Sequence, residues 1–207
     1  MNCKLCGKSN VLMTREHILA KWLMNLLDLR NEVVDDDFRK KLGMEKKEFK
    51  LINFTDNRIC VDCNCNMLNS LETACMGILK RLTDVRQGRL NKVIKQLEST
   101  RKVLSQWIFK TLILIADNGT KIIPKEHFFI FGKDHKRIPD DVFIDLAFCN
   151  QSEARLACKN SILLLPSSIS WIRSRKGYKI ILRIERLLFR VVFAPEKEQV
   201  CGDFLLS

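Results

Sequence analysis

Cys60-Val61-Asp62-Cys63-Asn64 closes a Cys-x-x-Cys pair and leads directly into a run in which Leu68, Leu71, Cys75, Ile78 and Leu82 recur every three or four residues. That spacing puts five side chains on one face of an amphipathic helix, so a metal-knuckle sequence opens a helix here. A second pair, Cys3-Lys4-Leu5-Cys6, lies at the other end of the same N-terminal stretch. Four thiolates in two knuckles are the ligand set that closes a tetrahedral site, and they predict a structural zinc on Cys3, Cys6, Cys60 and Cys63. Residues 1 to about 72 hold few apolar side chains, so the metal is expected to stand in for a core there.

Between the knuckles lies Thr14-Arg15-Glu16-His17-Ile18. Cys-x-x-Cys, then a carboxylate-His pair, then Cys-x-x-Cys-Asn opening a helix, resembles the HNH (His-Me finger) endonucleases of the zinc-stapled kind. The resemblance covers residues 1 to about 75, a third of the chain. It implies a ββα-metal motif with His17 on a strand as general base, and Glu16 and Asn64 holding a catalytic Mg or Mn. The residue types agree with that chemistry. Phosphodiester hydrolysis needs a base for water and a cation for the charge that develops on phosphorus and the leaving oxygen. An imidazole titrates in the right range, and carboxylate and amide oxygens are hard ligands. Adjacent strand residues point to opposite faces, so Glu16 and His17 share a site only if the strand is bent or bulged there. The family's third histidine falls near Glu72 or Thr73, which makes Glu72 a candidate replacement ligand. Ala20 stands where the family commonly has proline. The implied activity is a metal-dependent endonuclease hydrolysing phosphodiester bonds in DNA, in phage defence or in phage or mobile-element DNA processing. The alternative is a catalytically inactive zinc-stapled module that binds nucleic acid or protein.

The whole composition is compatible with a nucleic-acid partner. Of 207 residues, 46% are hydrophobic and 29% charged, which is the balance of a folded protein rather than a disordered one. Lys and Arg number 36 against 24 Asp and Glu, a formal charge of +12, which favours a polyanion. DNA is the expected partner, with RNA left open. From Glu72 to Lys110 nine bases face three acids. Lys80, Arg81, Arg86, Arg89, Lys92 and Lys95 in that run are the candidate phosphate contacts, with Arg101, Lys102 and Lys110 completing the basic face. Nothing among them announces a helix that reads base edges.

Along the chain, the reading divides at residue 85. Residues 1–85 form the HNH-like unit, with a short helix over Ala20 to Leu29 and a mostly solvated insertion at about 31–59, where seven acids meet seven bases without an apolar period. Asn66 and Asn69, near the helix start, are weaker candidates to face the metal. Residues 86–207 form a C-terminal domain of unassigned role. It opens with a second helical pattern, from Leu90 through Trp107 and Ile108 into the apolar run Leu112-Ile113-Leu114-Ile115-Ala116, which the turn signal Asp117-Asn118-Gly119 should end. His127 and His135 sit in an aromatic segment that reads as core. Alternation then takes over at Val142, Ile144, Leu146, Phe148 and at Tyr178, Ile180, Leu182, Ile184, with Lys176-Gly177 as a hairpin turn. The expected class is α+β, a zinc-stapled ββα motif followed by helices and a C-terminal antiparallel sheet. Nine cysteines cannot all pair, and no apolar leader opens the chain, so a reducing cytoplasm is expected. Cys65, Cys75, Cys149, Cys158 and Cys201 show no paired spacing and read as buried free thiols. No apolar run approaches the roughly 20 residues of a membrane span. The chain is expected to act alone, as a homodimer, or beside an ATPase that restrains it.

Overall fold

The computed structural model describes residues 1–30, 50–83, 97–119, 123–133, 136–148, 162–164, 177–184 and 187–195. Helix and sheet are mixed, as expected: four α-helices accompany a two-stranded and a four-stranded antiparallel sheet. No helix among the described residues is long and apolar enough to cross a membrane.

The N-terminal sheet is a hairpin of β1 (Met13–His17) and β2 (Thr55–Cys60). Thr14 faces Ile59 but Glu16 faces Asp56, so β2 carries one extra residue across that interval. The Arg58 N–H donates to Asp56 Oδ1 at 2.9 Å and holds the bulge. Bulges bend a strand and re-aim its side chains. Glu16 is buried, while Arg15 on one side is exposed and His17 on the other is half-buried. The expectation of a solvated insertion at 31–59 needs correcting at its C-terminal end. Leu51–Asn53 forms a 3-10 turn, β2 follows, and Leu51, Phe54, Asp56 and Ile59 are buried. The bulge explains why this strand was illegible, because it breaks the alternation that marks a strand. Residues 31–49 lie outside the described residues. Helix α1 is shorter than expected, spanning Lys21–Leu26. Asp28 at φ +53° reverses the chain beyond it and lets Leu29 bury.

A π-helical turn, Cys63–Leu68, runs into α2 (Asn69–Thr83). Leu68, Leu71, Cys75, Ile78 and Leu82 are buried along one face, as their spacing predicts. Helix α3 (Arg101–Gly119) is different in kind: every residue from Gln106 to Asp117 is buried. It runs through Asp117 and Asn118 and ends at Gly119, inside the expected turn signal. Asn118 Nδ2 donates to the Leu114 carbonyl at 2.9 Å, and the Asp117 carboxylate is taken up by Lys4 and Arg58. The first part of that helical pattern, 90–96, lies outside the described residues.

Helix α4 (Lys125–Lys133) buries His127, Phe128 and Phe131, in keeping with its reading as core, and His135 lies outside the described residues. The second sheet contains β3 (Val142–Phe148), β4 (Ile162–Leu164), β5 (Tyr178–Ile184) and β6 (Leu187–Phe193) in the order β3-β6-β5-β4. Tyr178 and Val142 both face Phe193 across their ladders, and β5 returns into β6 between Ile184 and Leu187. Lys176 of the expected turn lies outside the described residues. The sequence reading missed β6, whose run Leu-Leu-Phe-Arg-Val-Val-Phe is almost continuously apolar. The face of Leu187, Phe189 and Val191 is buried, while on the other Leu188 and Arg190 are half-buried and Val192 is buried, so apolar residues on both faces mask the period of two.

Helix α3 is the element that joins the two halves. It packs on α2 and on β3, β5 and β6, and one hydrophobic cluster runs from Cys3 through α3 to Val191. Trp107 meets Phe189 edge-on with centroids 6.0 Å apart, and Phe109 packs on Phe131 at 5.7 Å. His127 lies edge-on to Phe193 at 4.5 Å, and its Nδ1 hydrogen bonds the Tyr178 hydroxyl at 2.8 Å.

Burial holds His127 down to about 4, against the ordinary 6.5. A depressed histidine is neutral in the folded state while the unfolded chain takes up the proton, so stability falls as pH drops through that interval and is unaffected above it. Thermal or urea unfolding should show a loss of about 3 kcal/mol between pH 6.5 and 4 from this group. His127→Gln should flatten that part of the pH profile while lowering stability at pH 7.

Candidate metal centre and buried charge cluster

The four cysteines converge. Their Sγ atoms all lie within 4.8 Å of one another, with Cys3 and Cys63 3.9 Å apart and Cys6 and Cys60 3.8 Å apart. A tetrahedral ion with bonds of about 2.3 Å sets its sulfurs about 3.8 Å apart, whereas a disulfide needs about 2.05 Å. These four cysteines could therefore hold a metal such as zinc. The backbone around them is shaped for that geometry. The Cys60 N–H donates to Cys3 Sγ at 3.3 Å, and the Gly7 N–H bonds the Cys3 carbonyl at 2.9 Å. Gly7 turns the first knuckle at φ +74°, and a Cβ there would also press on the Phe129 ring. Burial opposes ionisation of Cys3, but backbone N–H groups of Cys6, Cys60 and Leu5 and the Cys60 side chain bring its thiol down to about 7. A cleft of about 350 Å³ opens beside the cluster, lined among others by Cys6, Lys8, Asp62, Asn66 and Lys133. Glu16, His17 and Asn64 are not part of its wall.

The first knuckle is tied to α3 by charge. Lys4 Nζ lies 3.0 Å from Asp56 Oδ2 and 2.6 Å from Asp117 Oδ2, and Arg58 Nη2 lies 2.7 and 2.9 Å from the same two oxygens. Two cations and two anions thus alternate between knuckle, β2 and the end of α3. The Lys4 ammonium also sits 4.1 Å over the Phe128 ring. Burial pushes the Asp56 carboxyl up, but Arg58 and Lys4 outweigh it and hold it at about 2.

A second charge cluster involves Glu16. The residue is 6% exposed, and its carboxylate accepts a hydrogen bond from Lys110 Nζ at 3.1 Å. The same ammonium, fully buried in the middle of α3, donates to Glu72 Oε1 at 2.5 Å. The other Glu72 oxygen accepts the indole N–H groups of Trp22 at 2.9 Å and Trp107 at 3.0 Å. Lys110 is therefore not part of a solvated basic face, as the charge count suggested. Burial works against its charge, but Glu72 and Glu16 more than offset that and hold it protonated. Burial in turn raises Glu16 more than Lys110 lowers it.

The predicted site residues are distributed as follows. His17 is half-buried at the end of β1, and no hydrogen bond or ion pair engages its imidazole among the described residues. Burial, and after it the Lys21 charge, hold it below its ordinary value. Asn64 is half-buried in the π turn directly after the second knuckle. The register puts Cys60 opposite Met13, whereas His17 lies opposite Thr55, about 13 Å away along the strand. The α2 residue that shares a partner with Glu16 is Glu72. Asn66 donates to Asp62 at 2.7 Å, and both it and Asn69 are exposed. Lys80 and Arg81 are exposed on α2, while Arg86, Arg89, Lys92 and Lys95 lie outside the described residues. Cys75 is buried as expected but Cys65 is exposed, because it falls on the outer side of the π turn. The reading missed Lys4, Asp56, Trp22, Trp107 and the pairing of Lys110. One signal was present for the last: Lys110 is the single charge within the otherwise almost wholly apolar run Trp107-Ile-Phe-Lys-Thr-Leu-Ile-Leu-Ile-Ala116.

Elemental analysis of the full chain should find one zinc per molecule. Cys60→Ser should abolish it and unfold the N-terminal hairpin by circular dichroism and hydrogen exchange, since such sites contribute about 10 kcal/mol or more. Asp56→Asn should act differently. Leaving a half-buried lysine and a partly exposed arginine with one carboxylate, it should lower stability to urea by about 1–3 kcal/mol while metal content stays at one. Comparison with protein-family models, curated proteins and solved structures finds no match to this chain.

Proposed function

We propose that this chain is a nucleic-acid phosphodiesterase of the HNH kind, an endonuclease acting on DNA in the cytoplasm, with His17 as general base and zinc on the four cysteines as staple. One observation carries the reading. His17 stands beside the bulge with its imidazole unengaged among the described residues and held neutral by burial and Lys21. A neutral imidazole with a free nitrogen is a proton acceptor at physiological pH. The order hairpin, knuckle, helix supports the same reading, as does the net charge of +12. In this reading His17 takes a proton from the attacking water. The exposed Lys80 and Arg81, with Arg86, Arg89, Lys92 and Lys95 further along, neutralise phosphates of the bound duplex.

The resemblance also implies a catalytic Mg or Mn on Glu16 and Asn64. Those residues do not fit a divalent ion in this arrangement. Glu16 Oε1 is bonded to an ammonium, and the helix residue that converges with it is Glu72. That commitment of Glu16 favours a second reading, a zinc-stapled module that binds nucleic acid without cutting it.

Cleavage of supercoiled plasmid and of short RNA separates the two readings. His17→Ala should lose cleavage by about 10²–10⁴-fold, with zinc content, DNA affinity and the steep weakening of binding by salt unchanged. Wild-type protein that binds DNA, carries zinc and cuts neither substrate would establish the binding module instead.

A further inference from the structure

We propose that Lys110 is the resident cation of the Glu16–Glu72 pair, a positioning residue whose ammonium occupies the place between the carboxylates that a divalent ion would otherwise take. The inference stands apart from whether the chain cuts nucleic acid. Three observations support it. The ammonium is fully buried and within hydrogen-bond distance of one oxygen from each carboxylate, at 3.1 and 2.5 Å. A hard divalent ion takes carboxylate oxygens at about 2.0–2.6 Å, so a single ion would need nearly the position that Nζ holds. The pair is also built into the fold from separate elements: β1 supplies Glu16, α2 supplies Glu72, and Trp22 of α1 and Trp107 of α3 fix the far oxygen of Glu72.

Such a site has a chemical consequence that a merely structural ion pair lacks. Removing the amine while keeping the backbone should uncover two carboxylates able to share a hard cation. The probe is Mn²⁺, added to zinc-loaded full-length protein and followed by the electron paramagnetic resonance of free Mn²⁺ and by quenching of tryptophan fluorescence, since Trp22 and Trp107 both touch Glu72. The wild type should show the same Mn²⁺ titration as Glu16→Gln. Lys110→Ala should gain a site at least tenfold tighter than any in the wild type, and Lys110→Ala combined with Glu16→Gln should lose it. Wild-type Mn²⁺ binding that weakens in Glu16→Gln would overturn the proposal, because Glu16 would then be an ion ligand with Lys110 in place. A folded, zinc-loaded Lys110→Ala protein that gains no Mn²⁺ site would overturn it equally. Should Lys110→Ala fail to fold, the comparison of wild type with Glu16→Gln decides alone. Plasmid cleavage is scored separately, so loss of the nuclease reading leaves this result interpretable.

Discussion

A single protonated amine in the middle of α3 holds the meeting point of β1, α2 and α3. Taking an ammonium and two carboxylates out of water carries a penalty of several kcal/mol per ion, which only close contacts and further hydrogen bonds can offset. Both conditions are met at Lys110. Each neighbouring carboxylate lies within bonding distance, and two indole N–H groups complete the outer oxygen of Glu72. Apolar contact is non-directional and fixes how much surface is buried rather than which atoms meet. The directed bonds around Lys110 add what the surrounding leucines and isoleucines do not: a definite register of α3 against the hairpin.

The same helix carries a second anchor at its C-terminal end. Asp117 reaches the first knuckle through Lys4, a residue between two of the metal-cluster cysteines, and reaches β2 through Arg58. Gly132 of α4 passes so near the Leu5 carbonyl that a Cβ there would overlap it, so the knuckle is also seated on α4 by close backbone approach. The N-terminal stretch, poor in apolar residues, therefore draws on the core of the rest of the chain as well as on its thiolates. The hydrophobic cluster that includes Cys3, Leu5, Ile18 and Leu71 continues without a break into Trp107 and Phe189.

Much of this was legible in the residues where one signal acted alone. The thiol cluster followed from two Cys-x-x-Cys spacings, the α2 face from a clean helical period, and β3 and β5 from alternation. Where two signals competed, the local one misled. Asp117-Asn118-Gly119 reads as a turn, and the helix does end at its Gly119, but Asp117 and Asn118 still belong to the helix, with Asp117 bound by Lys4 and Arg58. Strand β2 was hidden by its bulge, and β6 by the apolar residues Leu188 and Val192 on its half-buried face. The candidate site was legible in its members more than in its pairings. Glu16 and Glu72 could be singled out by position, but their shared partner lies 94 residues from Glu16, and no local pattern encodes such a contact. Counting charges assigned Lys110 to a solvated face because the count ignores which face of a helix a charge occupies.

That separation also orders events while the chain is being made. Synthesis proceeds at about 5–20 residues per second, so β1, β2 and α2 have all been made for seconds before Lys110 is added. During that interval Glu16 and Glu72 have no ammonium to share, and Lys4 has no Asp117 to grip. The nascent N-terminal third therefore carries an unmatched pair of acids and an apolar α2 face, and it reaches its final form only once Lys110 and Asp117 have both been added.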